Sequence, residues 1–383
     1  MKKFPLQLIE QRLSMTKRTI IAGILIILSF FSFYRKADAV LEPSNFPSLD
    51  SCLDIRMPLN FCGEPVPMKN SEIRERMEKE VILAVWNRPQ VILWLKRAHR
   101  YFPYIERMLN ITGIPEDIKY LCIIESALRA HAGSSKGAVG FWQFMQSTAR
   151  RYDLIVNSRI DERRNLFKST DAAIRYLKDL YQIFGAWTLA AAAYNMGEDG
   201  LEAEITVQKI KNYYQLYLPL ETQRYVFKAI AAKLIMSSPK KYGFRLSKND
   251  LYDPLEFDRV QINCTQDVPL QILAQSANTF FKKLKDLNPE IRGHYLPKGV
   301  HTLMIPKGTS TGFHNRYKTN LNIWAQQESA HIYIVQKGDN LSNIADRFNV
   351  PLPALLIWNR ISLRNHIHPG DRILVYPTKE MDE

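Results

Sequence analysis

Apolar positions along this chain fall into three textures. The first is one unbroken run, Ile20 to Phe33, directly after Thr16-Lys17-Arg18. The second covers residues 71–245 and has helical spacing, with Ile73, Met77, Glu80, Val81 and Ala84 sharing one face. Pro115-Glu116-Asp117 predicts a helix start, because proline is tolerated in a first turn and acids suit its dipole. That helix should run through Ile118, Leu121 and Cys122 to Glu125. Thr170-Asp171 should open another, with Ala173, Ile174, Leu177 and Leu180 on its apolar face. Trp187 to Tyr194 is apolar on nearly every side, which predicts a central buried helix ended by Gly197 and Gly200. The third texture begins near residue 250. Short strand-like runs at Arg259–Asn263, His301–Ile305, Ile332–Val335 and Arg372–Tyr376 alternate there with helical stretches and Pro/Gly/Asn turns.

This last region repeats itself at an offset of 71 residues. Leu270, Ala274, Leu284, Asn288, Gly299, Leu303 and Pro306 match Leu341, Ala345, Leu355, Asn359, Gly370, Leu374 and Pro377 without a gap. The pattern predicts two small βααβ modules, residues 258–307 and 331–378, behind a mainly α domain at 71–245. Residues 40–70, rich in Pro, Asn and Ser, read as a linker or a wrapping arm.

Charge adds a direction. The chain carries 52 basic and 38 acidic residues, a formal +14. Such a surface suits any polyanion and alone selects none. No groove-reading motif accompanies it, so nucleic acid is not expected as a partner. Residues 1–39 hold seven of the basic residues against Glu10 and Asp38. Their order is a basic region, a short apolar run and Ala37-Asp38-Ala39, as in an export signal. The run is shorter than the ~20 residues of a comfortable membrane span. Cleavage near Val40 and retention as a membrane anchor both remain open, as does Met15 as the start. Either way, most of the chain is expected on the periplasmic side of the cell envelope. There a local disulfide between Cys52 and Cys62 is plausible. Cys122 reads as a buried free thiol, and no cysteine spacing resembles a zinc site. No metal or cofactor is expected.

The second repeat opens with Tyr333-Ile334-Val335-Gln336-Lys337-Gly338-Asp339-Asn340-Leu341 and continues through Ile344-Ala345, Phe348, Leu355, Trp358-Asn359 and Pro369-Gly370. It resembles a lysin motif (LysM), which implies binding to N-acetylglucosamine-containing glycans. The first repeat looks like a degenerate copy, with Cys264-Thr265-Gln266-Asp267 in place of the usual opening. Its Phe280 and Phe281 read as core.

The helical region carries Glu125-Ser126, then Ser134-x-x-Gly137-Ala138-x-Gly140-Phe141-Trp142-Gln143-Phe144-Met145 and Thr148-Ala149. Asp161-Glu162-Arg163, Ser169-Thr170, Ala193-Tyr194-Asn195-x-Gly197 and Glu221-Thr222-x-x-Tyr225-Val226 follow. In this order the set resembles the soluble-type lytic transglycosylase domain. With lysin motifs behind it, the chain resembles the D type of membrane-bound lytic murein transglycosylases. The resemblance implies a lysozyme-like helical fold, peptidoglycan glycan strands as substrate and Glu125 as the catalytic acid. It further implies substrate contacts at Ser134, Gln143, Met145, Tyr194, Asn195 and Glu221. Gln146, Asp153 and Asn165-Leu166 depart from the family pattern, where Pro, Gly and Asp-Pro are usual.

The residues themselves support Glu125. A carboxyl beside Leu121, Cys122, Ile123 and Ile124 is disfavoured as an anion, so its pKa should rise and let it protonate a glycosidic oxygen. Glycosidases usually need two carboxylates, and none obvious accompanies Glu125. A lytic transglycosylase manages with one, because the muramyl C6 hydroxyl replaces water and closes a 1,6-anhydro ring. Some of the other positions have plainer readings. Ser134 suits a turn cap, Met145 suits the core, Tyr194 suits an internal hydrogen bond, and Glu221 suits a helix N-terminus after Pro219. Asp161 and Glu162 read as structural partners of Arg163 or Arg164. The rival functions are a lysozyme-like hydrolase and a non-catalytic wall-binding scaffold.

Overall fold

The computed structural model describes residues 55, 58–330 and 332–376, and only the backbone of 327–330. The export signal and Cys52 lie outside the described residues. Two units are treated separately. The small one is, in its described part, mainly the segment 238–245, with one 3₁₀ turn at Pro239–Tyr242. Everything below concerns the large unit, residues 56–237 and 246–383.

It is mainly helical, as expected. A short hairpin, β1 (Asn60–Phe61) and β2 (Glu64–Pro65), precedes α1 (Ser71–Trp86). Asn70 caps α1 by accepting from the N–H groups of Glu72 and Ile73. The long helix α2 (Arg88–Thr112) buries Val91, Trp94, Ala98, Phe102, Ile105 and Leu109 at helical spacing and stops at the left-handed Gly113. A 3₁₀ turn, Glu116–Ile118, leads into α3 (Lys119–Ser126), which is buried on almost every side. The chain continues through α4 (Gln146–Arg151), α5 (Leu166–Phe184), α6 (Trp187–Met196), α7 (Glu198–Gln208) and α8 (Leu220–Ser237). Residues 187–193 of α6 are all buried, so the expected central helix is present. Helix α8 packs on α1, α3 and α6.

Two boundaries differ from expectation. Helix α5 begins at Leu166, because Asn165 accepts from Phe167 and Lys168 N–H and so caps it four residues before Thr170-Asp171. Only Gly197 ends α6, whereas Gly200 lies inside α7. The described part of the 40–70 segment is an arm rather than a free linker. Phe61, Val66 and Met68 are buried, and the Glu64 carboxylate caps α6 from across the fold. It accepts from Trp187 N–H, from Thr188 N–H at 3.0 Å and from Thr188 Oγ1 at 2.8 Å.

Two βααβ modules follow. The first is β3 (Phe257–Cys264), α9 (Leu270–Ser276), α10 (Phe281–Leu287) and β6 (Gly299–Pro306), with β3 and β6 antiparallel. Between them β4 (Val268–Pro269) pairs with β5 (Tyr295–Leu296). Helix α11 (Phe313–Ala330) leads to the second module of β7 (Ile332–Ile334), α12 (Leu341–Arg347), α13 (Leu352–Asn359) and β8 (Arg372–Leu374). One asparagine latches each module. Asn288 exchanges hydrogen bonds with the Met304 backbone at 2.7 and 2.8 Å, and Asn359 does so with Leu374 at 2.7 Å both ways. Met304 and Leu374 are therefore equivalent, so the gapless alignment slips by one residue in the last strand. Phe281 packs against its module core, but Phe280 is 63% exposed and is not core.

The first module is tied to the helical domain. Asp161 N–H donates to Glu290 O at 2.8 Å and Arg292 N–H to Arg159 O at 2.6 Å. Asn165 Nδ2 donates to the buried Glu290 Oε1 at 2.9 Å. Asp267 binds Arg159 of the helical domain and, at 3.1 Å, Arg360 of the second module.

Candidate active site

Glu125 occupies the last turn of α3. Beyond Ser126 the chain turns sharply, and Ala127 and Leu128 both take left-handed φ values, 52° and 59°. Two consecutive non-glycine residues in that region are strained and persist only where the surroundings hold them. Here Arg97 Nη1 donates to Ala127 O at 3.1 Å and Arg129 Nε to Ser126 O at 3.1 Å. Ser126 Oγ donates to Phe141 O at 2.6 Å, which joins the end of α3 to the following loop.

Glu125 is half-buried. Burial lifts its pKa from the ordinary carboxylate range to about 7. The hydroxyl of Tyr225, on α8, donates to Glu125 Oε1 at 2.5 Å and opposes that rise. The negative charge of Glu221 adds to it, and the positive charge of Lys228 subtracts from it. Near neutral pH the group is thus divided between acid and carboxylate. Burial raises the pKa of Tyr225 and Tyr194 and keeps both phenols protonated.

Residues 132–144 form a tight loop beside the acid. Gly140 has φ 89°, and a Cβ there would sit 1.8 Å from Arg163 O, so only glycine fits. Arg163 is buried, held by Asp161 at 2.8 and 2.9 Å, and donates to Gly137 O and Phe144 O at 3.1 Å. The pairing expected for Asp161 is present, and Glu162 binds Lys168 and the N–H of Ile155 at 2.7 Å. Trp142 is fully buried and donates Nε1–H to Thr170 Oγ1 at 3.0 Å.

Each expected contact residue has a defined place. Gln143, with φ 49°, donates Nε2–H to Gly140 O at 2.9 Å and Ala132 O at 3.2 Å. Met145 is exposed rather than core. Ser134 Oγ accepts from Ala138 N–H at 3.0 Å and so caps its own turn. Tyr194 donates to Trp142 O at 2.7 Å, not to the acid. Asn195 Oδ1 accepts from Thr222 Oγ1 at 2.8 Å. Glu221 lies exposed in the first turn of α8, 3.9 Å from Lys136 Nζ. Tyr225, the direct partner of Glu125, is the tyrosine of the Glu221-Thr222-x-x-Tyr225-Val226 motif, a role that sequence reasoning alone misses. Its place one turn after Glu221 was the available signal.

Cys122 and Cys264 are free thiols, with Cys122 buried as expected, and among the described residues Cys62 has no disulfide partner, its expected partner Cys52 lying outside them. Among the described residues no group of His, Cys, Asp or Glu is placed to hold a metal ion.

Comparison with known proteins agrees with this architecture. Residues 104–216 match the Transglycosylase SLT domain, 333–375 the LysM domain, and 256–320 the Lytic transglycosylase MltD, LysM-like domain. Membrane-bound lytic murein transglycosylase D of Escherichia coli (strain K12) is 30% identical over 332 residues, covering 82% of this chain and 72% of that protein. A putative tributyltin chloride resistance protein of Alteromonas sp. (strain M-1) is 31% identical over 157 residues, 39% of this chain and 75% of the relative. The crystal structure of the 70 kDa soluble lytic transglycosylase of Escherichia coli matches with a TM-score of 0.33 and 19% identity, over 46% of this chain and 32% of that one. An SLT domain in the helical region, two LysM-like modules behind it and a relative matched over most of both chains identify this protein as a lytic transglycosylase of the membrane-bound lytic murein transglycosylase D family.

Proposed function

We propose that this enzyme cleaves the β-1,4 bond between N-acetylmuramic acid and N-acetylglucosamine in peptidoglycan, with Glu125 as its only acid and base. Protonated Glu125 gives its proton to the glycosidic oxygen as the muramyl C1–O bond breaks. The resulting carboxylate then takes the proton of the muramyl C6 hydroxyl while O6 bonds to C1. The products are a chain with a free N-acetylglucosamine 4-hydroxyl and a 1,6-anhydromuramoyl end, with no water consumed. Intramolecular attack also gains a large effective concentration.

The observation that carries this reading is a half-buried glutamate with a pKa raised to about 7, hydrogen-bonded by Tyr225. Glu80, which lines the adjoining cavity, has both oxygens bound by Arg224 and is not free to activate water. Tyr225 steadies the carboxylate after proton delivery. Gln143, Met145, Ser134 and Asn195 form the substrate-facing rim, and Tyr194 holds the Trp142 backbone beneath it. The 71–245 segment is the catalytic domain, the 331–378 module binds the wall, and residues 1–39 direct the chain to the envelope.

Glu221 supports a second reading. Its charge reaches Glu125, so a lysozyme-like hydrolase would use it to activate water. Mass spectrometry of digested murein separates the two. Muropeptides one water lighter than hydrolysed ones are expected, and reducing-end products would establish hydrolysis. Glu125→Gln should lower turnover by at least about 10²–10⁴-fold while the protein stays folded and bound to the wall. Full activity in that variant would reject the assignment, and wild-type inactivity with binding intact would favour a scaffold.

A further inference from the structure

A cavity of about 330 Å³ opens against Glu125 on the side of α1 and α2. Asn87, Gln90 and Trp94 line it from the start of α2, with Glu125 and Arg129 at the end of α3 and Lys228 on α8. Its wall is unbalanced in hydrogen-bonding character. Trp94 is only 9% exposed, yet among the described residues its buried Nε1–H has no partner. An indole nitrogen can only donate, and a buried donor left unmade is costly enough that most find an acceptor. Lys228 is half-buried and, among the described residues, forms no ion pair. Arg129 uses Nε on the Ser126 carbonyl, which leaves its other N–H groups uncommitted. On the acidic side, Glu80 is bound through both oxygens by Arg224. Donors therefore outnumber free acceptors, and two cations face a space whose remaining acid is Glu125 itself.

A neutral sugar hydroxyl both donates and accepts and would not correct this imbalance. A carboxylate only accepts and carries the missing charge. We propose that the cavity is a subsite for a carboxylate-bearing substituent of the saccharide held at Glu125, with Lys228 pairing the carboxylate and the Trp94 indole N–H donating to one of its oxygens. The inference rests on the glycan-cleaving reading above and specifies which part of the substrate lies on this side of the acid. Two sources supply the chemistry: the lactyl carboxyl of the muramyl unit, or the carboxylates of a peptide attached to it.

The test is a titration of the full-length protein, ¹⁵N-labelled at tryptophan, followed through its indole N–H signals. The chain has six tryptophans, and the signal missing in Trp94→Phe assigns Trp94. Three probes are compared: N-acetylglucosaminyl-N-acetylmuramic acid, the same disaccharide carrying its peptide, and the N-acetylglucosamine disaccharide. None contains the bond proposed to be cleaved. The first or second should shift the Trp94 signal, the third should not, and Lys228→Met should weaken binding about tenfold or more with the other five signals in place. A shift with the free lactyl compound identifies the lactyl source, and a shift only with the peptide compound identifies the peptide. An equal shift with the N-acetylglucosamine disaccharide, no shift with any probe, or unchanged affinity in Lys228→Met overturns the proposal. Binding is read without turnover, so a finding of hydrolysis in the product assay would leave this result standing.

Discussion

The state of Glu125 depends on three neighbours whose signs predict the pH dependence of turnover. The proposed mechanism needs the acid form, so activity should fall as pH rises through about 7. Tyr225→Phe removes a stabiliser of the carboxylate and should move that fall to higher pH, together with a loss in kcat. Glu221→Gln removes a repelling charge and should move it to lower pH. A pH–rate profile of each variant checks both directions. The same group carries a stability cost. Its native pKa exceeds the ordinary 4.5, so stabilisation present below pH 4.5 is lost as pH rises to about 7. Glu125→Gln should therefore melt higher than wild type at pH 8, by on the order of 1–2 kcal/mol after allowing for partial exposure. An unchanged difference between pH 4 and pH 8 would contradict this. The upward shift at Glu125 is legible in the sequence because its apolar neighbours in one helix already imply it. The role of Tyr225 is not, since its bond to the acid joins residues 100 apart and only the packing of α8 on α3 creates it.

At the scale of elements, the three departures from the family pattern have local explanations. Gln146 is the first residue of α4, a position proline favours but does not require. Asp153 has φ 63°, where glycine is easiest and aspartate is tolerated, and its carboxylate is held by Arg175 at 2.9 Å. Asn165 does more than aspartate could, because its amide both caps α5 and donates to Glu290. Asn165→Asp keeps the cap but sets one carboxylate against another. It should cost about 1–3 kcal/mol at neutral pH, measured by denaturant unfolding, and Glu290→Gln in the same chain should recover most of it. An Asn165→Asp protein as stable as wild type would count against this account. Helix existence is readable from apolar spacing, and the core of α6 from its uniformly apolar stretch. Helix starts are less legible, since a cap depends on one side chain's direction: Asn165 caps α5, and Thr170 accepts from Trp142 instead.

For the whole molecule, the repeat in the sequence disclosed two modules but not their unequal attachment. The first module exchanges backbone hydrogen bonds with residues 159–161 and supports Asp161, the partner of the arginine that pins the Gln143 loop. The second is joined through Arg360–Asp267 and a 3.3 Å bond from Tyr295 to the Trp358 carbonyl. Periodicity within a segment carries no information on such contacts between segments. Truncation after about residue 325 should weaken sedimentation with insoluble peptidoglycan and spare cleavage of short soluble glycans. Truncation after about residue 250 should lower both thermal stability and cleavage of those short glycans. Equal activity in the two truncations would remove the first module from any supporting role.

Glu64 reaches α6 across 123 positions, and Glu80 reaches Arg224 across 144. A chain made from its N-terminus thus delivers the cap long before the helix it closes, and Glu125 100 residues before the hydroxyl bonded to it. Contacts of such long sequence separation form late and slowly. The Glu125–Tyr225 pair cannot close until α8, which ends at Ser237, has been made. Until more than half of its 383 residues have been made, the growing chain therefore lacks the finished centre that the proposed mechanism needs.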